Sequence, residues 1–347
     1  MSMISCTEKP GDINQGGGDG TTGKRLVKET WLDYGKRYEN NDLQYTSGYY
    51  VWTRYVYSGN QLADIMDGKF KNGGPIEESY GMQFIYDGDK LTEIRVNDEE
   101  LQSNTYLTYS GEQITELYET YVDGGFSGWY KRNMTYSSDG HLMELTETYD
   151  GGDNNRYVLT WSGDNVASVQ CFENGSLFRT TNYTYDNKKS AYTEMPEWYA
   201  YMEDGSFTML SANNVIMESR VNSDGESRNH SYTYTYDGEW PVKRIENYGN
   251  EYYSGILTTY YEYADGAGQS LLPTIYTLKV NENSDGYGYT SGGGVYAAGS
   301  TAVMYACPWP GYIFQQWNDG NTQNPRTVTV DGNATYTAIF SSDVKSH

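Results

Sequence analysis

Ser231-Tyr-Thr-Tyr-Thr-Tyr236 runs directly into Asp237-Gly-Glu-Trp-Pro-Val-Lys-Arg-Ile245. As a strand, its first six residues put every tyrosine on one face and every Ser or Thr on the other. Asp237-Gly238 is a hairpin turn signal, and the residues beyond it return as a second strand. Working outward, the same unit recurs: an aromatic, one residue, an aromatic, a turn of four, then two aliphatics three apart. It reads Tyr55-Val-Tyr57-Ser-Gly-Asn-Gln-Leu62-Ala-Asp-Ile65, then Phe84-Ile-Tyr86-Asp-Gly-Asp-Lys-Leu91-Thr-Glu-Ile94, then Leu107-Thr-Tyr109-Ser-Gly-Glu-Gln-Ile114-Thr-Glu-Leu117. Further copies have Tyr136 with Leu142 and Leu145, and Trp161 with Val166 and Val169. Weaker ones start at Tyr185 and Leu210, and the last begins at Tyr263.

The anchors 57, 86, 109, 136, 161, 185, 210, 236 and 263 are spaced 29, 23, 27, 25, 24, 25, 26 and 27 apart, a near-constant period that marks an internal repeat. Two turns per unit give two strands, so about nine hairpins are expected, with residues 24–34 as an added strand ahead of the first. The expected fold class is all-β: an up-and-down antiparallel meander of about 16–18 strands. Closure into a barrel, or rolling, is the means by which such a sheet manages its edges. No stretch combines helical periodicity with helix caps.

Composition agrees. Tyr (38) and Gly (39) are far above ordinary usage, which suits pleated strands and tight turns. The net charge of −23 is concentrated in the first 270 residues, because the remainder holds three Lys/Arg against five Asp/Glu. Such a surface repels phosphate backbones and anionic lipid, which excludes nucleic acid as a partner. A membrane-spanning barrel needs an apolar outer band. Lys131, Arg132, Glu144, Glu147, Arg179 and Arg244 fall near strand middles instead, and mean hydropathy is −0.77. A soluble barrel is therefore expected. Three scattered cysteines (Cys6, Cys171, Cys307) form neither a disulfide framework nor a metal cluster.

The phrase Tyr-Asp-Gly-x-x-Leu-x-x-Ile at 86–94 resembles the tyrosine-aspartate repeats of Rhs-type toxin shells, whose period is shorter. The longer period here more closely resembles gut Bacteroidota families of unknown function with a porin-like fold. At the N-terminus, Met3-Ile4-Ser5-Cys6 resembles a bacterial lipobox, which implies that Cys6 carries lipid. The Gly-rich run Asn14–Gly23 after it reads as a flexible tether.

Pro273 ends the repeats. Tyr276–Val280, Gly292–Val303, Pro310–Gly320, Asn324–Val330 and Ala334–Phe340 follow as short strand-like runs. With the core Gly311-Tyr-Ile-Phe314-Gln-Gln-Trp317-Asn-Asp-Gly320, the segment resembles a divergent internalin B-type repeat domain. Trp317 and Phe314 are expected in its core, since a module this small needs its aromatics inside. Asp331-Gly332 is expected as the turn between Thr327-Val-Thr-Val330 and Tyr336–Phe340, and Cys307 as an inert buried thiol. The expected organisation is 1–23 lipobox remnant and tether, 24–270 repeat domain, 273–341 internalin B-type domain and 342–347 tail.

Chemistry is sparse. His141, His230 and His347 lie in no catalytic or metal-type spacing. Asp87-Gly-Asp89, Asp150-Gly-Gly-Asp153 and Ser284-Asp-Gly286 lack a calcium-loop pattern and stand where turns are required. No catalytic residue, metal or cofactor is expected. Trp52, Trp129, Trp198 and Trp240 could stack on sugar rings, although an aromatic row at strand spacing is more often the packed face of a sheet.

The leading expectation is a non-catalytic lipoprotein of the outer membrane or cell surface, touching the membrane only through its lipid. It would act in binding or attachment, with an extracellular glycan or an envelope protein as partner. One alternative is a glycan-binding protein supporting polysaccharide uptake. Another is a glycan-degrading enzyme, since 47 acidic residues give many accidental carboxylate pairs.

Overall fold

The computed structural model describes residues 24–70, 76–97, 101–202, 207–250, 252–284 and 286–343. The repeat region folds as sixteen antiparallel strands. They begin with β1 (Leu26–Glu39), β2 (Asp42–Ser58), β3 (Gln61–Phe70) and β4 (Ile76–Asp87). Next come β5 (Lys90–Asn97), β6 (Leu101–Ser110), β7 (Gln113–Asp123) and β8 (Phe126–Tyr136). Then follow β9 (Leu142–Tyr149), β10 (Asn154–Ser162), β11 (Asn165–Glu173) and β12 (Ser176–Lys189). The set ends with β13 (Asn213–Asn222), β14 (Ser227–Asp237), β15 (Trp240–Gly249) and β16 (Tyr253–Tyr263). Each strand pairs with its neighbours in sequence, and β16 pairs with β1 from Tyr263 opposite Leu26 to Tyr253 opposite Arg37. The barrel is closed.

The repeat explains the closure. A register shift falls beside the anchor in each tight hairpin, at Val56/Tyr57, Ile85/Tyr86 and Thr108/Tyr109 for example, and such bulges bend and twist a sheet. Gly88 and Gly238 hold φ of +61° and +62° at the turns, conformations that side chains disfavour. All hairpin anchors but Tyr236, where Tyr234 donates to Val215 O instead, also reach back one hairpin. The hydroxyls of Tyr86, Tyr109 and Tyr136 donate to the carbonyls of Leu62, Leu91 and Ile114 at 2.7–2.8 Å. Trp161 Nε1 does the same to Leu142 O, Tyr185 to Val166 O, and Tyr263 to Pro241 O. Tyr57 bonds Leu26 O at 3.1 Å, so β1 supplies the last hairpin's missing half.

Two expectations need correction. There are eight such units rather than nine, because Leu210 does not begin a hairpin. It belongs to the excursion 190–212 between β12 and β13, tied at its base by the Ser190 N–H to Ala212 O. That excursion contains a helix, α1 (Glu197–Met202), following Pro196; six residues are too few to show periodicity. Its Trp198, Tyr199, Tyr201 and Phe207 are buried against the inward Tyr55, Phe84, Leu117 and Tyr157. Burial of each stabilises the plug by about 2 kcal/mol. A barrel of this strand number otherwise encloses a channel; here the tight-turn end is filled.

The C-terminal strands are β17 (Ile275–Glu282), β18 (Gly288–Ser291), β19 (Gly294–Ala297) and β20 (Ser300–Pro308), then β21 (Tyr312–Trp317), β22 (Arg326–Val330) and β23 (Ala334–Ser342). They form two layers, β19-β17-β23-β21 and β18-β20-β22, around Trp317, Met304, Val330 and Phe340. Trp317 is fully buried and Phe314 packs edge-on against it. Asp331-Gly332 does join two strands, but they are not hairpin partners: β22 pairs with β20, while β23 pairs with β17 and β21. Crossing between layers lets Val330 and Phe340 reach the same core.

This domain docks on the outer wall at β1–β3. Val295 packs on Tyr50 and Trp52, Tyr34 donates to Thr301 O at 2.7 Å, and the Val303 N–H donates to Thr46 Oγ1 at 2.9 Å. Gly294 lies directly beside Gly48, where a Cβ on Gly48 would stand 2.1 Å from Val295 O.

Candidate functional site

The sequence-derived aromatic candidates are mostly packing residues. Trp52 is covered by the docked domain, Trp198 packs on Phe84 within the plug at 4.6 Å, and Trp240 is buried against Tyr263. None of these three offers a ring face to solvent. Trp129 is half-buried, 6.1 Å from Tyr118. Cys6 lies outside the described residues.

The charges near strand middles divide between the two faces of the wall. Lys131 and Glu144 point outward, paired with Glu116 and Arg156. Arg132, Glu147, Arg179 and Arg244 point into the lumen, so those four do not interrupt an outer band as expected. The outer face is mixed: Asn182 and Thr184 on β12 and Ser231, Thr233 and Thr235 on β14 are exposed polar positions, while Tyr106, Met217 and Ile256 are exposed apolar ones. The hydroxyl-bearing half of the opening motif thus faces outward.

Inside, three carboxylates are enclosed by donors. Glu29 accepts from Tyr55 (3.1 Å) and Tyr192 (2.6 Å), and Glu119 from Thr105 (3.0 Å) and Tyr130. Glu147 accepts from Arg132 Nε (2.8 Å), Tyr149 (3.0 Å) and Tyr157 (3.2 Å). Burial pushes the phenols of this interior upward, with Tyr86, Tyr136, Tyr183 and Tyr234 each at about 12. His141 stacks on Trp161 at 4.2 Å, and His230 Nδ1 lies 2.7 Å from Glu246. No group of three or more His, Cys, Asp or Glu able to hold a metal occurs among the described residues.

The accessible aromatic site is on the C-terminal domain, where sequence reasoning did not look. Tyr287 stacks on Tyr312 with centroids 4.4 Å apart and planes 20° from parallel. Tyr289 and Trp309 form a second pair at 5.2 Å. Trp309 is 45% exposed and Tyr289 42% exposed. The backbone fixes the arrangement: Trp309 N–H donates to Tyr287 O, and Tyr312 N–H donates to Trp309 O. Period-two reading of Tyr287-Gly-Tyr289 would have found it. Gly288 is buried with no room for a Cβ, which would stand 2.5 Å from Cys307 O, and strand alternation then turns both neighbouring tyrosines outward. Cys307, expected buried, is half-buried at the edge of this face, opposite Tyr289.

Residues 276–344 match the divergent InlB B-repeat domain family. No curated protein sequence matches the chain. Solved structures similar to it include two porin-like proteins. A porin-like protein from Bacteroides uniformis is 15% identical, with a TM-score of 0.47 over 69% of this chain and 97% of that one. A porin-like protein from Bacteroides vulgatus is 15% identical, with a TM-score of 0.28 over 70% of this chain and 99% of that one. Residues 276–344 are a divergent InlB B-repeat domain, carried on the wall of a closed sixteen-stranded barrel.

Proposed function

We propose that this protein is a non-catalytic binding module of the cell envelope that presents its C-terminal aromatic face to an extracellular glycan. The observation that carries this reading is the Tyr287–Tyr312 stack beside the tilted pair Tyr289–Trp309, with Tyr287, Tyr289 and Trp309 exposed on one small domain. Flat, amphipathic rings with polar tips suit sugar rings, which are apolar on their faces and polar at their edges. Exposed aromatic groups of this size mark interaction surfaces.

The barrel serves as the support. Its plugged end argues against a pore, and the exposed Thr, Ser and Asn on its outer wall suit water rather than an acyl interior. The protein then touches the membrane only through lipid on Cys6. A non-catalytic role is favoured because Glu29, Glu119 and Glu147 are each engaged by neighbouring donors that hold them in place.

Screening the full chain on an array of extracellular glycans tests the binding role, and retention of none would sink it. Sugar release from any polysaccharide in a reducing-end assay would overturn the non-catalytic reading. Membrane partitioning of a Cys6→Ala chain tests the tether: the variant is expected in the soluble fraction, and one that still partitions with membranes contradicts it.

A further inference from the structure

Six consecutive strands, β10 to β15, turn inward side chains onto a cavity of about 250 Å³ in the lumen. Thr208 of the plug contributes to its lining, and a void of about 70 Å³ shares Thr208, Glu218, Tyr232 and Arg244 with it. At roughly 30 Å³ per water, the larger space holds about eight waters, enough for a small polar molecule.

Its charge is opposite to that of the protein. A chain of net charge −23 places Arg179, Arg220 and Arg244 here against a single lining carboxylate, Glu218. Glu218 is taken by Arg220 at 2.6 Å. Neither Arg179 nor Arg244 has a carboxylate within ion-pairing distance among the described residues. Arg244 bonds only neutral groups, Thr259 Oγ1 at 3.2 Å and the Tyr234 hydroxyl, and the Nε atoms of Arg220 and Arg244 are buried without a hydrogen-bond partner.

Arg132 shows what an arginine with a structural duty looks like in the same lumen. It is 5% exposed, paired to Glu147 at 2.8 Å, and adjoined by Tyr130. Burying a guanidinium without such a partner is costly, and an incoming oxyanion would offset that cost. Burial works against the charge on Arg244, but the surrounding Tyr261, Tyr192 and Tyr234 and the Glu29 carboxylate outweigh it, so the group stays cationic. The Arg220 side chain is 36% exposed, so the cavity communicates with solvent.

We propose that this cavity binds a small polar molecule bearing a carboxylate or sulfate group, with Arg179, Arg220 and Arg244 as the groups that recognise it. Planar guanidinium forks match such oxyanions in two-point contacts, and Tyr157, Tyr183 and Tyr232 supply hydroxyls and ring faces for the rest of the ligand. The site is independent of the aromatic face of the C-terminal domain.

Calorimetric titration of the full chain with glucuronate, inorganic sulfate and glucose tests the proposal. Saturable binding of glucuronate or sulfate is expected, with glucose weaker by about ten-fold or more. Binding of glucuronate alone assigns a carboxylate ligand. Sulfate that displaces glucuronate, or binds alone, assigns the site to oxyanions including sulfate esters. Arg179→Gln and Arg220→Gln should each weaken anion binding by about ten-fold, with the fold of each checked by its melting transition. The proposal is overturned if neither anion binds at about 10 mM, if glucose binds as tightly as glucuronate, or if both folded variants bind as the wild type does.

Discussion

In the barrel, the Tyr136 ring turns inward and its hydroxyl donates to Ile114 O at 2.7 Å. In the C-terminal domain, Tyr289 turns outward over Trp309, at the edge of a core filled by Trp317 and Phe340. The same residue type stitches hairpins into a ring in one region and forms a surface in the other. What separates the two uses is the neighbour. The barrel tyrosines alternate with Ser and Thr, which take the outer face, whereas Tyr287 and Tyr289 flank a glycine that must be buried. Alternation fixes which residues share a face; the bulk between them decides which face goes inside.

High pH should have the largest effect, and it acts on both regions, because burial raises Tyr296 in the core of the C-terminal domain to about 12 as well. Burial raises Tyr86, Tyr136, Tyr183 and Tyr234 of the barrel from 10 to about 12, so the folded state holds those protons more tightly than the unfolded chain. Their contribution to stability is fully present below about pH 10 and is lost as pH climbs through about 12. Tyrosinate absorbance and circular dichroism should therefore change together across that window. Full ionisation with the barrel fold intact would contradict the ring.

The next largest effect should come from the junction. Gly48→Ala forces a Cβ to within 2.1 Å of Val295 O, in a contact made by backbone on both sides. The cost should be about 1–3 kcal/mol. It should appear as loss of a shared unfolding transition, with the C-terminal domain melting or being proteolysed ahead of the barrel. An unchanged single transition would mean that the two units are not coupled through this contact.

A smaller change tests one rung of the ring. Tyr136→Phe keeps the aromatic body but leaves Ile114 O without its donor, which should cost about 1 kcal/mol in denaturant unfolding. A variant as stable as the wild type would show that the hydroxyl adds nothing to ring packing.

Most of the barrel was legible because its signals are local and repeated. The Tyr-x-Tyr strand ends, the Asp-Gly and Ser-Gly turns and the near-constant spacing give strand count and connectivity directly. The plug was not legible. Residues 190–212 break the period once, and their helix is shorter than two turns. The facing of individual charges was also hidden: Arg132 and Lys131 are adjacent in sequence, yet one meets Glu147 in the lumen and the other Glu116 outside. The arginine cavity draws on six consecutive strands, from Tyr157 to Arg244, and the curvature of the wall under the plug is what gathers their inward side chains.

The division between holding and presenting aromatics is tested most directly by Trp309→Ala. Its ring is exposed, so melting should stay within about 0.5 kcal/mol of the wild type. On the same array of extracellular glycans, the wild-type chain should be retained and the variant lost. Equal retention of both chains, or of neither, would contradict the assignment of binding to the C-terminal face.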